Sequence, residues 1–96
     1  MPYASRIVLH SLSGAPEGID SLVESFLKDG VKFVGVVGKN AGHIEELVDE
    51  VVLGDGTDDS RFLLTASHEG ESLNDAVEFA RSLSDEYGEG LQVVEV

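Results

Sequence analysis

The stretch RIVLHSLSGAPEGIDSLVESFLKDGVKFVGVV, residues 6–37, reads as strand, helix, strand. Arg6 to Leu12 is almost continuously apolar, the pattern of a strand buried on both faces. The turn Ser13-Gly14-Ala15-Pro16-Glu17-Gly18 follows, with Pro16 suited to a first helical turn and Glu17 to the positive end of a helix dipole. Ile19, Leu22, Val23, Phe26 and Leu27 then recur at offsets of zero, three, four, seven and eight, which is one stripe of a helix, and Gly30 stops it. Val31 to Val37 is a second apolar strand. Two such strands joined by a helix of this length imply a parallel βαβ unit.

The same grammar continues to the end of the chain. Gly38-Lys39-Asn40 breaks the second strand, and Asn40 is a natural N-cap for a second helix with the stripe Ile44, Leu47 and Val48. Val51-Val52-Leu53 is expected as a brief third strand, although Val51 and Val52 also continue the helical spacing from Ile44. An acidic turn at Gly54 to Asp59 precedes a fourth strand at Arg61 to Ala66. Ser72-Leu73-Asn74-Asp75 predicts a capping box, opening a last helix with the stripe Leu73, Ala76, Val77, Ala80, Leu83 and Tyr87, Phe79 on its flank and Gly88 as its stop. Leu91 to Val96 reads as a final edge strand. The expected core is Val8, Leu9, Leu22, Phe26, Val34, Val36, Leu63, Leu64, Val77 and Ala80, buried together, with Leu63 in a central strand.

Ninety-six residues suffice for one domain, taken as 1–96, and not for a two-lobed dinucleotide fold. With no cysteine the chain has no disulfide and no sulfur ligand for zinc, which fits a reducing cytoplasm. The N-terminus lacks the layout of a signal peptide and no apolar run approaches about 20 residues, so a soluble cytoplasmic protein without membrane contact is expected. Nineteen acidic against six basic side chains give a formal charge of −13, which repels nucleic acid phosphates. That acidity serves solubility, or it fits a basic protein partner.

In open parallel sheets ligands gather outside the carboxyl ends of the strands. That rule selects Ser11, Ser13 and Gly14 after the first strand, Lys39 and Asn40 after the second, and Thr65, Ser67, His68, Glu69 and Glu71 after the fourth. Arg6, Lys32, Arg61 and Lys28 fall on the opposite rim, leaving Lys39 as the cation where a phosphate would sit. Neither glycine-bearing turn has dinucleotide or P-loop spacing, and no cofactor is expected. Ser13, His68 and Glu71 are candidate catalytic residues, with His68 as a base oriented by Glu71 and Ser13 or Ser67 as nucleophile. The alternative is that His68 and Glu71 only fix the turn into the last helix. Ser11, Gly14, Lys39, Asn40, Thr65 and Ser67 are the ligand-binding candidates.

His10 is expected as a hydrogen-bonded core histidine and His43 as solvated. No local metal spacing is present, and Asp55-Gly56-Thr57-Asp58-Asp59 reads as a solvated turn, not an EF-hand.

Thr65, His68, Glu71, Ser72 and Leu73 spell T-x-x-H-x-x-E-[ST]-L. This turn resembles that of a family of small, uncharacterised bacterial α/β proteins, which implies a fold and a marked position but no reaction. The architecture expected is a three-layer Rossmann-like α/β domain of four or five mostly parallel strands, helices on both faces, the first strand central and the order 3-2-1-4-5. The functional expectation is a non-enzymatic binding or protein-interaction module with an acidic surface. The alternative is a small hydrolase or ligand-binding domain using Ser13, His68 and Glu71. A homodimer through Leu91 to Val96 is a further expectation, because an exposed edge strand can pair with its own copy.

Overall fold

A computed structural model describes residues 3–14, 17–54, 63–88 and 90–96. Along the chain run β1 (Arg6–Ser11), α1 (Ile19–Lys28), β2 (Phe33–Gly38), α2 (Ala41–Leu53), β3 (Leu64–Ser67), α3 (Leu73–Ser82), a 3-10 turn (Asp85–Tyr87) and β4 (Leu91–Glu95). The four strands form one sheet in the order β3-β2-β1-β4, and every neighbouring pair is parallel. β1 is central as expected, paired with Phe33 to Gly38 on one side and Leu91 to Glu95 on the other.

Two expectations are corrected. Val51 to Leu53 is not a strand but the last turn of α2, with Val51 and Val52 packed against the core. The helical spacing through Ile44 and Val48 prevails because it lets these valines bury without breaking a backbone ladder. The order 3-2-1-4-5 is replaced as well: the strand at Leu64 to Ser67 lies outside β2, and the C-terminal strand takes the place beside β1. Of the expected fourth strand, Arg61 and Phe62 lie outside the described residues, as do Pro16 and the acidic turn Asp55 to Asp59.

Alternation along the strands divides the core into two clusters rather than one. Ile7, Leu9, Val34 and Val36 pack with Ile19, Val23 and Phe26 of α1 and Ile44 and Val48 of α2. Val8, Phe33 and Val37 pack instead with Ala76 and Ala80 of α3. Among the expected core residues, Leu22, Leu64 and Val77 are half-buried, and Leu63 precedes an edge strand instead of lying in a central one.

α1 begins at Gly18 in the left-handed region (φ 82°), and its last turn is closed by Gly30, also at φ 82°. α3 starts on the expected capping box: the Ser72 hydroxyl accepts from the Asp75 amide at 3.1 Å, and the Asp75 carboxylate accepts from the Ser72 amide at 3.3 Å. Its end differs from expectation. The helix stops at Ser82, well before Gly88, where the buried Arg6 guanidinium donates to the carbonyls of Ala80 (2.9 Å) and Ser84 (3.1 Å). A cation at the negative end of the helix dipole thus takes the place of a glycine cap.

Candidate functional site at the carboxyl rim

The rim above β1 and β2 is stitched together by its own polar groups. Ser11, the last residue of β1, is buried, and its hydroxyl accepts from the Gly14 amide at 3.1 Å while its carbonyl accepts from the Lys39 amide at 3.0 Å. Gly38 lies against that carbonyl with φ 103°, and a Cβ there would collide with the Ser11 oxygen, so the close approach of the two strand ends requires glycine. Asn40 occupies the N-cap position of α2 as expected, but at φ 54° its side chain does not cap the helix. It turns back and donates from Nδ2 to the Gly14 carbonyl at 3.0 Å. Ser11, Gly14, Lys39 and Asn40 are therefore brought together. Ser13 is exposed beside them, its amide 3.4 Å from the Val96 carbonyl.

The anion that faces the amino end of α2 comes from the chain itself. The Glu69 carboxylate lies against Gly42 in the first turn of α2, with the Ser67 hydroxyl nearby, a placement that the helix dipole favours. Thr65 does not reach the rim. Its hydroxyl faces α2 from within β3, 2.8 Å from Glu45 Oε2 and 2.5 Å from Asp49 Oδ1. One hydroxyl has one proton to donate, so two carboxylates around it share the remaining demand. Hydrogen bonding to Asp49, and then burial, push the Glu45 carboxyl above its ordinary value of 4.5, while the Thr65 bond pulls the other way. The composition does not single out this pair, although a spacing of four places Glu45 and Asp49 on one face of α2.

His68 follows β3 and is 4% exposed. Its amide donates to the Val36 carbonyl at 2.7 Å, and its carbonyl accepts from the Glu71 amide at 2.9 Å, which fixes the turn into α3. Nδ1 stands 3.3 Å from Glu71 Oε2, whereas Nε2 is buried without a hydrogen-bond partner. The ring meets Phe79 edge-on, with centroids 5.1 Å apart. Its Cδ2 lies over Gly35, close to where a side chain there would sit. Alternation separates the other candidates from this ring. Thr65 and Ser67 lie toward α2, while His68 joins the aromatic group of Phe79 and Phe33, which packs with α3. Ser13 follows β1, and β2 lies between β1 and β3, so the backbones that carry Ser13 and His68 are separated by two strand spacings, about 10 Å.

His10 departs from the expected hydrogen-bonded core residue. It is half-buried opposite Glu95 on β4, and Nδ1 stands 3.9 Å from Glu95 Oε2, beyond hydrogen-bond reach. His43 is exposed. Among the described residues no group of three or more histidine, aspartate or glutamate side chains is placed to hold a metal ion. Nor, among those residues, is any helix long and apolar enough to cross a membrane.

A family model covers residues 2–94, the turn from Thr65 to Leu73 included. The chain belongs to the family described as Domain of unknown function (DUF7684). No curated protein and no solved structure matches it. In this member of DUF7684 the polar groups around β3 are His68 with Glu71 on one side and Thr65 with Glu45 and Asp49 on the other.

Proposed function

We propose that this DUF7684 chain is a cytoplasmic, non-enzymatic interaction module of three-layer Rossmann-like architecture that presents an acidic surface to a basic protein. The two apolar clusters, one joined by α1 and α2 and the other by α3, support helices on both faces of the sheet. The observation that carries the functional reading is the charge pattern of α2. Glu45, Glu46, Asp49 and Glu50 run from its middle into its last turn, with no basic residue in the last turn and no acidic residue in the first. Glu50 in the last turn stands unfavourably at the negative end of the helix dipole, and the exposed like-charged pair Glu46/Glu50 at a spacing of four adds to this by about 0.2–0.5 kcal/mol. A cationic partner reverses both terms.

Poly-L-lysine is the probe. Reversing exposed Glu46 and Glu50 to lysine should weaken its binding at low salt by about tenfold more than reversing exposed Glu78 and Glu86 on and beyond α3. Equal losses from the two reversals would leave only diffuse charge and end the proposal. The hydrolase reading with Ser13, His68 and Glu71 keeps the 3.3 Å contact between His68 and Glu71 but not its nucleophile, since two strand spacings, about 10 Å, separate the backbones of Ser13 and His68. A DUF7684 homodimer through Leu91 to Val96 is the second association proposed, supported by the place of β4 at the sheet edge.

A further inference from the structure

Among the described residues three buried side-chain nitrogens lack a hydrogen-bond partner: Arg6 Nε, His10 Nδ1 and His68 Nε2. Arg6 satisfies its other guanidinium nitrogens on Ala80 of α3 and on Ser84 just beyond it, and His10 belongs to a half-buried ring beside an edge strand. His68 is different, because its whole ring is enclosed and its orientation is set. A carboxylate only accepts, so Glu71 at Nδ1 assigns the proton of the neutral imidazole to Nδ1 and leaves a lone pair at Nε2. A buried acceptor without a donor calls for an explanation.

The ring that carries this lone pair has aromatic neighbours, and Cδ2, the carbon bonded to Nε2, lies over Gly35 beside the Phe33 ring. Phe79 packs against His68 at 5.1 Å and against Phe33 at 5.8 Å, yet it is 42% exposed on the flank of α3. Gly35 contributes no side chain, and the Phe33 and His68 rings close over it. The phenyl ring of Phe79 therefore fills an aromatic seat with one side open to water, but it has no polar hydrogen to offer Nε2. A free ring bearing a hydroxyl group would keep the ring contacts and supply the missing donor.

We propose that the seat held by Phe79 between Phe33 and His68 binds a small neutral phenol, which donates its O–H to His68 Nε2 as the Phe79 side chain rotates into solvent. An anionic aromatic is disfavoured by the Glu71 carboxylate on the far side of the imidazole and by a net charge of −13. This site makes no use of the α2 carboxylates, so its failure and that of the basic-partner proposal are distinguishable.

The test is a titration of the full chain, labelled with nitrogen-15, with phenol and with anisole, which has the same ring and no donor, following the three imidazoles by NMR. Phenol should shift His68 Nε2 saturably, leave His43 unmoved, and bind about tenfold tighter than anisole. Phe79→Ala should bind phenol at least as tightly as the wild type, since no ring has to be displaced. His68→Phe should lose the preference for phenol over anisole while keeping the ring in place. Equal affinity for the two probes, a phenol that binds without moving Nε2, or weaker binding by Phe79→Ala would each overturn the proposal.

Discussion

The guanidinium of Arg6, on the first residue of β1, donates at 2.9 Å to the carbonyl of Ala80, 74 residues further along the chain. This bond ties the start of the central strand to the end of α3, and a charged donor on a buried carbonyl is worth about 1.5–3 kcal/mol. Arg6→Met should lower the free energy of unfolding by roughly that amount, measured by urea denaturation. Arg6→Lys should recover only part of it, because an ammonium cannot spread its donors over both Ala80 and Ser84 as the guanidinium fork does. A fully neutral Arg6→Met would remove this cap from the account of α3.

Ser72 and Asp75 exchange two hydrogen bonds at the other end of the same helix. Ser72→Ala should destabilise the fold by about 0.5–2 kcal/mol at an unchanged denaturant slope, and Ser72→Asp should retain most of the wild-type stability.

Glu45 makes stability depend on pH in a direction opposite to that of a salt-bridged carboxylate. Its folded value lies above 4.5, so in the window between the two the folded state binds more proton than the unfolded chain. Its contribution to stability therefore rises as the pH falls through that window and is lost as the pH rises. Glu45→Gln, which keeps an acceptor for Thr65 and a donor for Asp49, should be more stable than the wild type at pH 7, and the gap should close toward pH 4.5. Urea midpoints of the two proteins across this range check it; a gap that ignores pH would show that Glu45 does not titrate with folding.

The edge of β4 is directed outward at alternate residues. Val96 both donates to His10 (3.0 Å) and accepts from Leu12 (2.8 Å), so the alternation of a parallel ladder turns the amides of Leu91, Val93 and Glu95 away from β1. Light scattering at millimolar concentration should give a dimer that strengthens with salt, since screening weakens the repulsion between two chains of charge −13. Val93→Pro should dissociate it and leave the β1 ladder and the unfolding midpoint nearly unchanged, because the amide it removes faces outward. A wild-type monomer under these conditions would end the proposal.

What the sequence by itself determined about this protein is what neighbours within about four residues decide. The stripes of α1 and α3, the Gly30 stop, the capping box at Ser72 and the apolar central strand β1 all follow from periodicity and short-range hydrogen bonds, which are local physics. The same locality explains the ambiguity at Val51 and Val52, whose spacing fits a helix and whose residue types fit a strand; burial against the core made them helical. Tertiary structure alone decided the rest. The strand order depends on which backbone edges meet, and nothing in a six-residue run names its partner. The Asn40 amide turned from its own helix to Gly14, 26 residues away, and Arg6 became a helix cap instead of a rim charge. In the candidate site, the turn from Thr65 to Glu71 was legible as a polar cluster, but strand alternation sent Ser67 toward α2 and enclosed His68 among Phe33, Gly35 and Phe79. Those directions are set by the pleat of β3 and by the packing of α3, which exist only once the sheet has formed.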